Sequence, residues 1–140
     1  MDLSEALDFI RDRKQGVLNT IRSSGRSQLS NILFLLGDDG VVRISVTDDR
    51  AKTRNLRRDP RAALYIPGDD VFTWVGLDGR VELSPVAQSP DDAVVDRLVE
   101  YYRRANGEHG DWDEYRRAMV DQRRLVATFV ATSATGILPD

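Results

Sequence analysis

Cysteine is absent from this 140-residue chain, histidine occurs once, and lysine occurs only twice against 18 arginines. Without cysteine there is no disulfide framework, no thiolate metal site and no thiol nucleophile. A metal would have to bind carboxylates alone, and the Asp38–Asp39 and Asp69–Asp70 pairs lie in turn-like sequence. No serine stands in a nucleophile-elbow pattern. The sequence therefore predicts no catalytic side chain and no metal site, and it favours a protein that takes its chemistry from a bound cofactor.

Long hydrophobic runs are also missing, since no apolar stretch approaches the roughly 20 residues that span a bilayer. The first residues are acidic and lack the apolar core of a signal peptide, so we expect a cytoplasmic protein without membrane contact. The net charge is −3. A mildly acidic chain is a poor candidate for nucleic-acid binding, and it favours one small anionic ligand over a long polyanion.

The pattern of apolar residues predicts one domain, residues 1–140, that is mostly β with peripheral helices. The predicted strands, six in number and mostly antiparallel, are residues 17–21, 28–36, 41–47, 62–66, 72–83 and 125–130. Hairpins followed by one closing strand favour a small barrel, because closure removes exposed sheet edges. Gly76 and Gly79 predict a bend or bulge in the fifth strand.

Helix-start signals occur at three places outside these strands. Asp2 precedes an amphipathic segment that runs from Leu3 to Lys14. Ser89 is followed by a proline and two acidic residues, which predicts an N-cap at Ser89. Asp111 and Glu114 have the capping-box spacing and predict the start of another helix.

The most informative stretch is residues 49–60, where five cations follow directly after a predicted strand. A strand that leads into a short cationic helix predicts an anion site, because first-turn N–H groups are unpaired and carry the positive end of the helix dipole. Lys52 stands out in a chain that otherwise prefers arginine, which suggests a compact point charge on a flexible stem. The alternative interpretation is a solvated basic helix face.

Other positions are weaker candidates. Ser30, Asn31 and Ser45 are polar residues in apolar strands, and they either face water or bind the polar edge of a heterocycle. Phe72 and Trp74 are predicted on one strand face, where core packing is the more common role and flanking a planar ring is the alternative. The single histidine, in a glycine-flanked loop, is interpreted as solvent-exposed or as a loop hydrogen-bonder.

Three segments carry a resemblance to a known family: residues 25–31, 50–62 and 107–116. They resemble the split β-barrel flavin and deazaflavin oxidoreductases, which form the pyridoxamine-phosphate-oxidase-like superfamily. Within it, they are most similar to the actinobacterial branch that uses coenzyme F-420. The resemblance covers nearly the whole chain, from about Gly16 to Val130. It implies a six-stranded antiparallel split β-barrel and a homodimer with two cofactor sites at the subunit interface.

The resemblance also implies roles for particular residues. Arg50 and Lys52 match the phosphate ligands, and Asn55 lies nearby and shapes the helix. The remaining matches lie on three strands. The first, with Gln28, Ser30 and Asn31, runs alongside the ring system and ribityl chain, and the backbone of the second, with Ile44, Ser45 and Val46, faces the same ligand. The third, with Phe72, Thr73 and Trp74, reaches the site from the other side, with the second subunit as one source.

The implied activity is hydride transfer from reduced coenzyme F-420 to a small organic acceptor. An enzyme that uses flavin mononucleotide (FMN) in the same groove is the first alternative. A non-catalytic carrier of either cofactor is the second, because binding and catalysis would use the same groove. The arginine-rich substrate motif of true pyridoxamine phosphate oxidases is not found in residues 135–140, so vitamin B6 oxidation is not expected.

Overall fold

The computed structural model of the protein describes all 140 residues and contains four helices and seven strands. The helices are α1 (Leu3–Ile10), α2 (Ala51–Arg58), α3 (Ala93–Asn106) and α4 (Trp112–Asp121). The strands are β1 (Gln15–Ile21), β2 (Ser27–Leu33), β3 (Leu35–Leu36), β4 (Val42–Thr47), β5 (Arg61–Pro67), β6 (Trp74–Leu83) and β7 (Arg124–Ile137). None of the helices combines the length and the apolar character that a bilayer crossing requires.

All strands belong to one antiparallel sheet with the order β2-β1-β5-β6-β7-β4-β3. The two edge strands, β2 and β3, follow each other along the chain with only Phe34 between them. The sheet must therefore curl until its edges approach, and β2 does contact β4. A curled antiparallel sheet with helices outside it is consistent with a split barrel.

The prediction of six strands was wrong by one, because the run 28–36 is two strands. Phe34 is 1% exposed, and its N–H donates to the Lys14 carbonyl at 2.8 Å, in register with the β1–β2 ladder and just beyond its last pair, Gln15–Leu33. The pairing partner changes at this residue from β1 to β4. A continuous apolar run carries no signal for such a change of partner.

The core lies inside the curled sheet, where alternate residues of each strand meet. Leu18, Ile44, Leu64, Leu77 and Phe129 are among the fully buried side chains. Helix α1 adds Ala6 and Ile10, both 0% exposed, to the same cluster. A smaller apolar cluster outside the barrel packs α3 and α4 against Val126 of β7.

The predicted irregularity in the fifth predicted strand is confirmed at Gly79. The register between β6 and β7 shifts between Asp78 and Gly79, so that Thr132 of β7 is the extra residue. A Cβ at Gly79 would stand 2.3 Å from the Val130 carbonyl oxygen, which excludes any side chain there.

Several element boundaries differ from the prediction. Helix α1 ends at Ile10 rather than Lys14, because the chain must turn before it enters β1 at Gln15. The last strand extends to Ile137 rather than Val130, since it stays paired with β6 as far as Trp74. The added residues are mostly small or polar and show no apolar alternation.

The cap of α3 was also assigned to the wrong residue, whereas the other two caps are confirmed. Asp92, not Ser89, is the N-cap, and its carboxylate accepts from the Val95 N–H at 2.8 Å. Its second oxygen accepts from the N–H groups of Gln88 and Ser89. A carboxylate that reaches three backbone donors satisfies more of the helix start than the Ser89 hydroxyl can.

Candidate functional site

A cleft of about 290 Å³ lies between β2 and β4, where the edges of the sheet approach each other. Strand β3 pairs only with Val42 and Arg43, so the edge of β4 beyond Arg43 has no strand partner on that side. Helix α3 contacts β4, and both α3 and α4 contact β7. The cleft therefore combines an unpaired strand edge with a largely apolar wall, as ligand sites commonly do.

Four of the predicted positions meet in this cleft, namely Asn31 from β2, Ile44 and Ser45 from β4, and Lys52 from α2. The Ile44 side chain is 1% exposed and belongs to the core, as does Val46 at 2%. At these two residues only the backbone can face a ligand. The sequence interpretation assigned the same backbone role to this strand.

Within the basic helix, the five cations divide into two groups. Arg54 donates to the Asp49 carbonyl, Arg57 pairs with Asp48, and Arg58 donates to the Ile21 carbonyl and the Asn55 side chain. The other two side chains have no hydrogen bond or ion pair within the chain, and these are Arg50 and Lys52. The two residues predicted to bind phosphate are thus the two that the fold leaves unpaired.

The electrostatic environment of Lys52 favours an anion. Burial lowers the pKa of the Lys52 ammonium from its ordinary value, and the positive charges of Arg50 and Arg124 lower it further. Arg124 lies at the start of β7 and reaches the Ser45 hydroxyl with its guanidinium at 3.4 Å. None of these three cations forms an ion pair within the chain, and a bound anion would offset their mutual repulsion.

Asn55 is committed to the fold. It is 7% exposed, donates to the Thr20 hydroxyl at 3.1 Å and accepts from Arg58. These bonds join α2 to β1 and hold the helix, which agrees with the shaping role assigned to this residue.

Gln28 and Ser30 lie on the opposite face of β2 from Asn31. In the pairing of β1 with β2 they stand opposite Thr20 and Leu18, which are fully buried inside the barrel, so their side chains lie on the same inner face. The Gln28 side chain accepts from Arg22 at 3.1 Å. Within one chain, neither residue lines the cleft.

The segment from Phe72 to Trp74 is placed differently from the prediction. Strand β6 begins at Trp74, and Phe72 lies in a turn with 75% of its surface exposed, so these two rings do not share a strand face. The Asp70 carboxylate causes this, because it accepts from the N–H groups of Phe72 and Thr73 and closes a turn there. Trp74 packs on Tyr65 instead, with ring centroids 5.8 Å apart.

Seven cleft residues were missed by the sequence interpretation: Ile32 and Leu33 of β2, Tyr101 and Tyr102 of α3, Tyr115 and Met119 of α4, and Arg124 of β7. Those on α3 and α4 belong to apolar stripes at helical spacing, a pattern typical of core packing. Tyr115 is indeed packed as core, since burial raises its pKa to about 12 and its hydroxyl donates to the Leu98 carbonyl. Arg124 carries no signal that separates it from the other arginines.

The single histidine is confirmed as a loop hydrogen-bonder. The Nδ1 atom of His109 accepts from the Asp111 N–H at 2.9 Å, which assigns the ring proton to Nε2. The ring packs among Tyr102, Trp112 and Tyr115, with centroid distances of 5.2 to 5.6 Å. This histidine therefore holds the start of α4, and it does not line the cleft.

A curled antiparallel sheet with a cleft at its open seam, lined by apolar residues and by Lys52 and Arg124, is consistent with the split-barrel class of proteins. The family model described as pyridoxamine 5'-phosphate oxidase matches residues 3–133. The chain belongs to this family.

Solved structures agree with the fold. A conserved hypothetical protein, Rv2991 from Mycobacterium tuberculosis, is 25% identical with a TM-score of 0.71, covering 97% of this chain and 84% of that one. A structure described as an F-420 reductase is 21% identical with a TM-score of 0.67, covering 91% and 94%. HutZ, a heme storage protein from Vibrio cholerae, is 16% identical with a TM-score of 0.68, covering 97% and 95%.

Proposed function

We propose that this protein is a coenzyme F-420-dependent reductase that passes a hydride to a small organic acceptor. One observation carries the proposal: Arg50 and Lys52 alone among the cations of α2 have no partner in the chain, and Lys52 opens onto the cleft. The fold pairs the neighbouring arginines and leaves these two side chains without a partner. They are therefore available to bind an external anion. The phosphate of the cofactor is such an anion.

The chain binds the phosphate end with charge and backbone together. Lys52 and Arg50 supply charge-assisted hydrogen bonds, and the first turn of α2 adds unpaired N–H groups with the positive end of its dipole. No acidic residue lies in that first turn to compete for these donors.

The ring end would lie along the seam between β2 and β4. Asn31 and the unpaired edge of β4 near Ser45 offer hydrogen-bonding groups to the polar edge of a tricyclic ring. The apolar and aromatic wall from α3 and α4 excludes water from its faces. When bound, the reduced cofactor supplies the hydride, so no acidic or basic side chain of the protein is required.

FMN shares a phosphate and a tricyclic ring with coenzyme F-420, so an FMN enzyme remains the alternative. The structural relative described as an F-420 reductase supports the deazaflavin, although at 21% identity it shows the fold alone. The heme-storage relative favours a different ligand. His109 is a poor heme ligand here, because Nδ1 is occupied by the Asp111 N–H and Nε2 carries the proton.

We also propose a homodimer, because one face of the sheet lacks a cover. Leu29 and Leu33 of β2 are 64% and 61% exposed, and Tyr65 and Ile137 are 45% and 55% exposed. A symmetric copy would cover these apolar groups.

The test is a fluorescence titration of the purified chain with coenzyme F-420 and with FMN, side by side. Removing one charge-assisted phosphate contact costs about 1.5–3 kcal/mol, which corresponds to an about ten- to 150-fold weaker Kd. We therefore expect Lys52→Ala to weaken cofactor binding by this factor, with a thermal unfolding midpoint in the absence of cofactor that is no lower than that of wild type. Lys52→Arg should fall between, because the charge is kept with different geometry.

Lys14→Ala is the matched control, since Lys14 is the only other lysine and its ammonium already donates to the Ala105 carbonyl at 2.7 Å. It should bind the cofactor normally. Wild-type affinity in Lys52→Ala would contradict the phosphate site. Single-turnover mixing of the reduced cofactor with enones and quinones then separates a reductase, which oxidises the cofactor, from a carrier, which does not.

A further inference from the structure

A second cavity, of about 430 Å³, lies directly behind the cleft and shares one wall with it. That wall is Tyr101, the only residue that lines both spaces. Arg97, Tyr101 and Arg104 stand at i, i+4 and i+7 on one face of α3, so the second cavity follows this face away from the cleft.

Three carboxylates and three arginines line this second cavity, and of these arginines only Arg97 has no ion pair. Each of its carboxylates already faces an arginine: Asp39 pairs with Arg43, Asp38 with Arg104, and Glu100 with Arg103. Arg97 is the remaining cation. It has no carboxylate partner and makes only one hydrogen bond, to the Thr128 hydroxyl at 3.3 Å.

Tyr101 forms a weakly held partition. Its hydroxyl donates to the Leu33 carbonyl at 3.3 Å, which is long for an O–H···O bond. Burial raises the pKa of Tyr101, while a backbone hydrogen bond from Ser45 acts in the opposite direction. The phenol thus bridges β2 and β4 across the seam, and its bond to β2 is a long one.

Resting on the proposed function, we propose that the second cavity binds the electron acceptor, and that the acceptor is a planar organic anion. Its carboxylate or sulfonate pairs with Arg97, and its reactive end passes the edge of the Tyr101 ring toward the cofactor cleft. Each space alone is near the lower limit of ligand pockets, about 300–1,000 Å³, and the two joined at Tyr101 lie well within that range. Arg97 selects the acceptor by charge, and Tyr101 limits its width.

The test uses two probes of equal size that differ in charge, sodium 2-naphthoate and 2-naphthamide, measured by isothermal titration calorimetry on the cofactor-free chain. We expect naphthoate to bind about tenfold more tightly than naphthamide, because one charge-assisted hydrogen bond contributes about this much to affinity. Arg97→Gln should remove the preference. Arg117→Gln is the control, because Arg117 on α4 likewise has no ion pair and does not line the cavity. Equal affinity for both probes, or an unchanged preference in Arg97→Gln, would overturn the proposal.

A second titration repeats the naphthoate measurement with saturating FMN or coenzyme F-420. Simultaneous binding with the same Kd supports separate sites on either side of Tyr101. Competition would place naphthoate in the cofactor cleft and sink the inference. Failure of both cofactors to bind would count against the proposed function alone, because the comparison of Arg97→Gln with wild type is made without a cofactor.

Discussion

The two lysines of this chain show how local partners decide the role of one residue type. Lys14 donates to the Ala105 carbonyl in the last turn of α3, where a cation also complements the helix dipole. Lys52 has no such partner and stands within reach of the charges of Arg50 and Arg124. The first lysine stabilises the fold, whereas the second is an unneutralised charge whose stabilisation requires a ligand.

This difference predicts a pH dependence of cofactor binding. The pKa of Lys52 is lowered from its ordinary 10.5 in the free chain, so the ammonium loses its proton at a lower pH than an exposed lysine does. We expect the cofactor Kd to rise as the pH passes upward through this lowered pKa. In Lys52→Arg the rise should move to higher pH, because the guanidinium stays protonated. Parallel Kd–pH profiles for the two proteins would contradict the assignment.

In the absence of cofactor, the free energy of unfolding should rise with pH, whereas cofactor binding becomes weaker over the same pH range. Between the lowered Lys52 pKa and 10.5, the unfolded chain binds more protons than the folded chain, so the free energy of unfolding rises with pH in that window. Lys52→Met should lack this increment. Denaturant titrations of both proteins across the window measure the difference.

His109 gives a second prediction at the scale of one residue. His109→Asn keeps a side-chain acceptor for the Asp111 N–H, and no imidazole is needed for hydride transfer. Turnover should therefore stay within a few-fold of wild type. A kcat loss beyond about a hundredfold, the scale of a general acid or base, would show that the loop takes part in catalysis.

At the scale of elements, strands in which apolar and polar residues alternate were predictable from the sequence. The points at which a strand changes its pairing partner, or continues without an apolar pattern, were not. The alternating side chains of Val42, Ile44 and Val46 are all buried, as the period-2 pattern requires. The extension of β7 to Ile137 carries mostly small or polar residues, because its outer half pairs with β6 without entering the core. Pairing by backbone alone leaves no apolar pattern to detect.

The residue that caps α3 was also not predictable from the sequence pattern, and its role can be tested. Burial acts to raise the pKa of Asp92, but the backbone N–H groups of Gln88, Val95 and Ser89 outweigh it, and the net pKa is lowered. Asp92→Ala should cost about 1–2 kcal/mol of unfolding free energy at neutral pH, the usual value of an N-cap. The loss should shrink in acid, because a carboxyl with a lowered pKa contributes only while it is ionised.

Ser89→Ala is the matched control for this cap. The Ser89 hydroxyl accepts only one bond, from the Asp91 N–H at 3.5 Å, so its removal should cost less than about 0.5 kcal/mol. Equal losses for the two variants in urea unfolding would restore Ser89 as a cap.

At the scale of the whole molecule, the cleft joins residues 31, 45, 52, 101 and 124, which no local pattern connects. The cluster of cations on and just before α2 was predictable because these residues lie within 12 positions of one another in the sequence. The aromatic wall was not, because Tyr101 and Tyr115 follow ordinary helical stripes and differ from core residues only in what lies opposite them. The curling of the sheet brings together segments that are distant in sequence, and this decides which apolar helix faces line a cavity.

The uncovered sheet face carries the last prediction. Light scattering should give twice the 15.8 kDa mass of one chain at micromolar concentration, because the face that includes Leu29, Leu33, Tyr65 and Ile137 is too apolar to stay in water. Leu29→Arg places a charge in the proposed contact and should yield monomers. Ser24→Arg adds the same charge in the exposed turn after β1 and should stay dimeric. A wild-type monomer would refute the dimer and would leave residues 72–74 unable to reach any cofactor cleft from a partner.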